Sequence, residues 1–476
     1  MKKLEFLNHG VSNIHAAALV LGAAGFLSKL LGVFRDRLLA AHFGAGRELD
    51  IYYAAFQIPD FVLTIFLLGG ASSAILPVFQ EYIASDRAKA RRLISQLATL
   101  FVVGASAVCI AVFFLAPFLI HFVAPGFSEE DGNRVVGLTR LMLLSPILFG
   151  LSGILSAVIE TFRRFVAYAL SSVFYNAGII IGIVALVPLF GVWGLGFGIV
   201  IGALFNFLTY LFPVIDLGFE PYFSWGGVSD GIKRIMRVSV PRVFSVSVSQ
   251  LTSLALVAYA STLPAGSIAV FTLAQNLYFM PIGVFAIGYT VAIFPRMSRA
   301  SIEKNGHLFF YEFFLGIRSI LFWIMPSAVL FIVLRAHIVR VALGAGAFSW
   351  EDTRLTTALL ATFMVALTAG SLVSFLVKGF YALENTWYSF VVNILGSIAS
   401  IALSVFFART LVIHSALGNA ISALFRIQDL PHPEVVGLGL GFSLGLIINV
   451  GLLYIVFMAF AKTKFSARVP FPFFPL

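Results

Sequence analysis

Apolar stretches of 20 or more residues recur along this chain from one end to the other. Each stretch is long enough to cross the hydrocarbon core of a bilayer as a helix. The 476 residues are 60% hydrophobic and only 11% charged, which is too little charge to cover the surface of a water-soluble protein of this size. The sequence therefore predicts an all-α, polytopic membrane protein.

We predict about twelve transmembrane helices. The loops between them contain no more than roughly 25 residues, which leaves no room for a soluble catalytic domain. The predicted spans lie at 14–41, 51–84, 93–124, 134–160, 165–188, 191–216, 232–262, 267–300, 311–334, 355–384, 387–413 and 435–461.

Basic residues are distributed unevenly between the two sets of loops. One set, which includes both termini, carries 17 of the 31 lysines and arginines, whereas the opposite set carries seven together with the acidic segment 128–131. Basic loops tend to stay in the cytoplasm, so both termini are predicted to be cytoplasmic. A removable signal peptide is not expected, because Lys2 and Lys3 precede a mildly polar segment. We interpret the basic loops as topology signals and lipid contacts, and we expect no nucleic-acid partner.

Two segments 220 residues apart resemble each other. In each, a turn of small residues (44–46 and 264–266) is followed by a long predicted helix that ends near a proline, Pro77 or Pro295. This pattern predicts two parallel six-helix repeats around a central cavity, with an N-terminal bundle at 1–225 and a C-terminal bundle at 226–476. Proteins of this type bind their substrate between the halves and expose it alternately to the two sides.

Charged residues lie within the first predicted span, where they are costly unless they face a protein interior or a water-filled path. Lys29, Arg35, Asp36 and Arg37 supply three cations and one anion there. They indicate a polar cavity for an anionic substrate, because protected lysines and arginines can offset the charge of a diphosphate. Arg35 is the strongest candidate, and its alternative is an arginine that extends to the lipid headgroups. We expect Asp36 to orient a neighbouring arginine.

Four further residues are candidates for the substrate site. Arg242 and Lys378 fit either the cavity or a contact with lipid headgroups. The amides of Gln275 and Asn276 lie deep in a predicted helix, where they either line a wet cavity or connect helices.

The sequence contains no motif for an enzyme, a metal or a cofactor. The eight histidines are scattered without the spacing of metal ligands on a helix face, and the phosphate-binding loop of nucleotide hydrolases is missing. The nearest embedded carboxylates are Asp36, Glu160 and Glu384, so neither a proton site nor a sodium site is assigned. We expect no cofactor, and the membrane potential acting on the cavity cations is one candidate driving force.

Several short segments resemble a known transporter family. The segments SKLLGVFRD (28–36), FGAG (43–46) and AAF (54–56), with Asp50 between them, resemble the opening signature of the MurJ/MviN lipid II flippases. This family belongs to the multidrug/oligosaccharidyl-lipid/polysaccharide exporter superfamily. Weaker similarity continues downstream, for example at GFYA (379–382).

The resemblance implies a flippase that moves undecaprenyl-linked peptidoglycan precursor, lipid II, from the inner to the outer leaflet of the bacterial cytoplasmic membrane. It implies that Lys29, Arg35 and Asp36 line the cavity. The implied partners are the lipid-linked diphosphate oligosaccharide and membrane lipids, with cell-wall synthesis enzymes as further candidates. The oligomeric state is not predicted.

The chain also departs from the family pattern. Leu63, Thr64, Leu68, Gln275 and Asn276 stand where that family has charged residues, and the family commonly has fourteen helices. These departures keep open a flippase for another polyprenyl-linked oligosaccharide of the O-antigen, capsule or teichoic type. A cation-coupled drug exporter is disfavoured by the positive cavity, a non-transporting cell-wall scaffold by the embedded charges, and a lipid-linked glycosyltransferase by the short loops.

Overall fold

The structure is a computed structural model that describes residues 14–69, 72–225, 229–413, 415–430 and 432–465. Regular structure in these residues is helical throughout, without a strand. Within the helices, the side chains of residues 14–21, 66–69, 72–74, 238 and 240–246 lie outside the description.

The helices group into two compact units, and the first contains the described residues up to Gly266 together with 345–347. Its ten helices are α1 (Ile14–Phe43), α2 (Arg47–Gly69), α3 (Ser72–Ser85), α4 (Arg87–Val123), α5 (Glu129–Met142), α6 (Leu144–Thr161), α7 (Phe165–Ile181), α8 (Val187–Phe190), α9 (Trp193–Asp216) and α10 (Asp230–Ser261). A π-helical turn at Gly182–Leu186 connects α7 with α8.

The second unit contains residues 267–344 and the described residues from Phe348 onward. Its helices are α11 (Ser267–Pro281), α12 (Ile287–Ile302), α13 (Gly306–Ala342), α14 (Trp350–Val365), α15 (Leu367–Ala382), α16 (Trp387–Val412), α17 (Ala416–Phe425) and α18 (Glu434–Phe465). Another π-helical turn, Ile282–Ala286, joins α11 to α12.

The predicted class, an all-α polytopic membrane protein, is confirmed. Within the described ranges, eight helical segments are long and apolar enough to cross a membrane, and α14 with α15, bent by 47°, makes a ninth. All twelve predicted spans coincide with a helix or with consecutive helices. Three of them, at 14–41, 51–84 and 232–262, are not among the nine, so the count of twelve stays a prediction.

These three spans correspond to α1, to α2 with α3, and to α10, and they carry charged residues in their interiors. Such residues are stabilised at membrane depth when they face other protein groups. In the first unit, α1 packs against α7, and α2 packs against α5, α6 and α10. The polar side chains of α1, α2, α7 and α10 meet in these contacts, as described below.

The contact between α7 and α9 positions part of that polar region. A Cβ atom on Gly202 of α9 would lie 2.6 Å from the carbonyl oxygen of Tyr175 on α7, closer than real Cβ contacts. Glycine at this position therefore lets the two backbones approach closely. The approach holds the segment of α7 that carries Tyr175 and Asn176.

The predicted division at residue 225 stays a prediction, as do the parallel repeat and the central cavity. In the structure α10 packs with the first unit, through contacts with α2, α3 and α4. The two turns that prompted the repeat share a local feature, since Gly44 (φ +59°) and Gly266 (φ +94°) both have the positive φ that favours glycine.

Candidate functional site

Arg35 and Asp36 form an ion pair inside the first unit. The Nε and Nη2 atoms of Arg35 donate to Oδ1 of Asp36 at 3.0 and 2.8 Å. The Asp36 side chain is 8% exposed and the Arg35 side chain 21% exposed, so the pair is largely removed from the surface. Asp36 thus orients its neighbouring arginine, as expected from the sequence, and it also neutralises the charge of that arginine.

Asn176 connects this pair to α7. The Nη1 atom of Arg35 donates to Oδ1 of Asn176 at 3.3 Å. The amide nitrogen of Asn176 in turn donates to the Ser28 hydroxyl at 3.3 Å and to the Ser172 carbonyl at 3.0 Å. Because both ends of the amide have partners, Asn176 holds the Arg35 guanidinium in one orientation between α1 and α7.

Two buried tyrosines and one half-buried tyrosine surround Arg35. Tyr52 and Tyr53 on α2 and Tyr175 on α7 are close enough to Arg35 for electrostatic interaction. Tyr175 also packs edge-on against Phe149 of α6, with ring centroids 4.9 Å apart. Within the described residues the Tyr53 hydroxyl has no hydrogen-bond partner. The surroundings of Arg35 therefore combine hydroxyl groups with flat apolar ring surfaces.

A proline shapes the next turn of α2. Pro59 has no N–H, so the carbonyl of Ala55, four residues earlier, loses its usual partner in the helix. The Thr139 hydroxyl on α5 donates to this carbonyl at 3.1 Å, in a fully buried contact. A neighbouring helix thus supplies the hydrogen bond that the Ala55 carbonyl lacks within α2, as buried backbone groups require.

Thr139→Val is expected to lower the stability of the first unit by about 1–3 kcal/mol, because the Ala55 carbonyl would be buried without a partner. Thr209→Val is the matched control. Thr209 is also buried, but its hydroxyl donates to the Phe205 carbonyl within the same helix, α9, and that carbonyl retains its backbone partner. Thermal unfolding of the purified chain in detergent measures both variants, and equal losses would contradict this role of Thr139.

Asp60, directly after Pro59, is a functional candidate that our sequence reasoning missed. Its carboxyl oxygen Oδ2 accepts a hydrogen bond from the side-chain amide of Gln250 on α10. The sequence contained a usable signal, because any carboxylate inside a predicted span is a candidate for function. Asp60 lies within the predicted span 51–84.

The structure does not bring Lys29 together with Arg35. Lys29 is exposed on α1. The two residues are six positions apart, which places them about 120° apart around a helix. Lys29 therefore cannot share the buried ion-pair network, and its place in a cavity stays a prediction. Arg242 lies on α10, and its side chain is outside the described set.

The other three predicted site residues belong to the second unit. Gln275 and Asn276 are half-buried on α11. The Lys378 ammonium on α15 lies 5.4 Å from the ring centroid of Phe294 and 5.6 Å from that of Tyr381. These distances fit cation–π interactions. A substrate-binding role for these residues stays a prediction.

The family model for the lipid II flippase MurJ matches residues 39–469. This chain belongs to the lipid II flippase MurJ family. The match begins after Asp36, so it includes Asp60, Gln250 and the candidates of the second unit but not those of α1.

Curated relatives are similar over most of this family member. A Vibrio cholerae protein named probable lipid II flippase MurJ is 28% identical over 453 residues, which are 92% of this chain and 82% of the relative. The lipid II flippase MurJ of Burkholderia cenocepacia is 25% identical over 385 residues, covering 78% of this chain and 74% of the relative.

Solved structures show the same fold. A lipid II flippase MurJ in an inward closed conformation has a TM-score of 0.73 at 24% identity, covering 94% of this chain and 91% of that one. An inward-facing multidrug resistance MATE family transporter of the MOP superfamily has a TM-score of 0.72 at 16% identity, with 95% and 100% coverage. The fold is therefore shared between MurJ and MATE proteins, and the substrate must be inferred from the family and the site.

Proposed function

We propose that this chain is a flippase that moves undecaprenyl-linked peptidoglycan precursor, lipid II, from the inner to the outer leaflet. The observation that carries the proposal is the MurJ family match over residues 39–469, supported by relatives named as lipid II flippases. The chain works as a transporter and not as an enzyme, in the cytoplasmic membrane of a bacterium and with both termini in the cytoplasm.

The mechanism is alternating access between the bundles 1–225 and 226–476. In it, Lys29, Arg35 and Arg242 bind the lipid-linked diphosphate, with Lys378 as a fourth cation. Gln275 and Asn276 offer neutral donors, and Asp36 orients Arg35. The Nη1 bond to Asn176 and the two bonds to Asp36 support this role, because they prepare the guanidinium for ligand binding before the ligand arrives.

A specific observation favours a second candidate, a flippase for another polyprenyl-linked oligosaccharide. The Arg35 charge is offset by Asp36, and Asp60 adds another carboxyl group nearby in the same unit. The described polar cluster is thus less positive than the sequence suggested. A substrate with fewer anionic groups than lipid II would suit this cluster better.

Expression of the chain in cells depleted of their own lipid II flippase tests the proposal. We expect growth to recover and lipid II to be detected in the outer leaflet, at a protein level verified in the membrane. Cells that express the protein but accumulate lipid II in the inner leaflet would contradict the proposal. Export of a capsule or O-antigen precursor by the same cells would establish the second candidate.

A further inference from the structure

Asp60 places a carboxyl group at membrane depth on α2, a helix of the first unit. It follows Arg47, the first residue of α2, by 13 positions. At 1.5 Å per residue this is about 20 Å along the helix axis, well inside a hydrocarbon core of about 30 Å. Carboxyl groups at such depth are expensive, and they commonly belong to ion pathways or proton relays.

The surroundings of Asp60 provide a neutral hydrogen-bond partner. Gln250 on α10 donates to it, and Tyr175 on α7 is within electrostatic range. Among the described side chains, no lysine, arginine or histidine forms an ion pair with Asp60. The charges of α1 nearest to this region, Arg35 and Asp36, are paired with each other.

Among the other helices packed against α2, α4 brings one titratable group close to this region, the Cys109 thiol, which packs in an apolar cluster with Val62. The charged groups of these helices lie away from Asp60. Glu160 is near the last residue of α6, and the cations of α4 lie in its first two turns.

From α5, Asp131 and Arg134 pair with Arg47 and Glu48 at the start of α2, about 18–20 Å along the helix from Asp60. The α5 contact nearer to Asp60 is the uncharged Thr139 hydroxyl on the Ala55 carbonyl. On α10, Arg242 precedes Gln250 by eight residues, about 12 Å along the helix; its side chain lies outside the described set.

An amide is a suitable partner for a carboxyl group that gains and loses a proton. Its N–H donates to the carboxylate, and its carbonyl accepts from the protonated acid. The pair can therefore remain bonded in both states. The bond to the charged form is about twice as strong as a bond between neutral groups. Protonation of Asp60 thus weakens the attachment of α10 to α2 without abolishing it.

This attachment acts on the helix that leads out of the first unit. Shortly after α10 the chain reaches Gly266, where the long continuous segment of the first unit ends. The Gly266 N–H donates to Oδ2 of Asp50, near the start of α2, at 2.6 Å. Thus α2 contacts α10 itself through Asp60, and it contacts the segment that follows α10 through Asp50. The Gly266 N–H can only donate to Asp50, whereas the Gln250 side chain offers Asp60 both a donor and an acceptor.

We propose that Asp60 is a proton-binding site, bonded to Gln250, whose protonation loosens the contact between α2 and α10 and makes transport pH dependent. The coupling to transport rests on the proposed flippase function, whereas proton binding and helix movement do not. The ratio of the protonated to the deprotonated form of such a group changes about tenfold per pH unit.

Infrared difference spectroscopy of the purified full chain tests proton binding directly. We expect a protonated-carboxyl band that appears as the pH falls and is missing in Asp60→Asn, which keeps a side chain of the same shape. Gln250→Leu should retain the band and shift its midpoint. Glu220→Gln, at an exposed ion pair with Arg91, is the control and should leave the band unchanged. A titration that is identical in wild type and Asp60→Asn would overturn the proposal.

Spin labels test the helix movement without any lipid substrate. The chain has a single cysteine, so Cys109→Ser gives a background for labels at Thr64 on α2, which is half-buried, and Leu251 on α10, which is exposed. We expect the distance distribution to change over the pH range of the infrared band, and Asp60→Asn to remove this change. A distribution that is independent of pH in the wild type would overturn the proposed loosening.

Lipid II flipping in proteoliposomes, measured across a pH series, tests the coupling. The wild type should show a rate that varies with pH, and Asp60→Asn a rate that does not. The same pH profile in both proteins would overturn the coupling while leaving the flippase function intact. If the infrared and spin-label changes occur but lipid II is not flipped, the flippase function fails and the proton site stands.

Discussion

Arg35→Ala is expected to abolish rescue of flippase-depleted cells and to reduce outer-leaflet lipid II at least tenfold. The substitution removes the guanidinium that Asp36 and Asn176 orient, and it removes the ion pair of Asp36, whose side chain is 8% exposed. Removal of one partner from a buried ion pair destabilises a protein by about 3–5 kcal/mol, and the low end applies here because Arg35 is partly exposed. The measurements are outer-leaflet lipid II and thermal unfolding.

Two companion variants separate binding from stability. Arg35→Lys keeps the charge but loses the planar fork of donors, so we expect partial rescue. The double variant Arg35→Ala/Asp36→Ala removes both charges, so we expect stability to recover while transport stays lost. Full rescue by Arg35→Ala at a normal protein level would exclude Arg35 from the transport mechanism. Recovery of transport in the double variant would show that the pair is only structural.

The helices could be predicted from the sequence because their signal is the length of an apolar run. The span predicted at 387–413 and the helix Trp387–Val412 differ by a single residue at one end. This agreement reflects the bilayer, which requires each segment to satisfy its own backbone hydrogen bonds as a helix. Helix placement therefore depends on local composition alone.

Contacts between helices could not be predicted in the same way. The sequence predicts that Asp36 orients an arginine, because the two residues are neighbours in the chain. The partners of Asp60 and of the Ala55 carbonyl are Gln250 and Thr139, which are 190 and 84 residues away. The periodic pattern of apolar residues in one helix does not identify a partner on another helix. Sequence proximity groups Lys29 with Arg35, whereas the helix turns the two side chains in different directions.

The grouping of helices into units also depends on long-range contacts. An internal repeat of six helices favours a division between α9 and α10, because repeats are defined by sequence order. In the structure α10 packs with the helices that precede it, and Gln250 contributes to that packing through its bond to Asp60. Gln250 therefore belongs with the polar residues of the first unit.

Gly441→Leu is expected to disrupt the second unit more severely than any other single change we propose there. Gly437, Gly441 and Gly445 of α18 repeat every four residues and face Ala408, Ser404 and Ser400 of α16. Small residues at this spacing let two membrane helices pack backbone to backbone. Because the two backbones are this close, the Ser404 hydroxyl donates a hydrogen bond to the Leu438 carbonyl at 2.9 Å.

A side chain at Gly441 has no space to occupy. Even a Cβ atom would overlap the backbone nitrogen of Ser404, which cannot rotate away as a side chain could. Gly441→Ala should therefore cost about 1–3 kcal/mol, the usual range for overpacking. Leucine should force α16 and α18 apart, break the Ser404 bond and prevent recovery of folded protein. Gly451, ten residues later on the same helix, has no atom within 4 Å of its would-be Cβ.

Gly451→Leu is thus a matched control, and it should give a folded protein at wild-type yield. Size-exclusion profiles and thermal unfolding in detergent distinguish the three variants. Equal behaviour of Gly441→Leu and Gly451→Leu would show that α16 and α18 tolerate separation. The expected order, with Gly441→Leu worst, Gly441→Ala intermediate and Gly451→Leu close to wild type, follows from backbone contact alone. The side-chain volume added to α18 is the same in the two leucine variants, so volume cannot explain a difference between them.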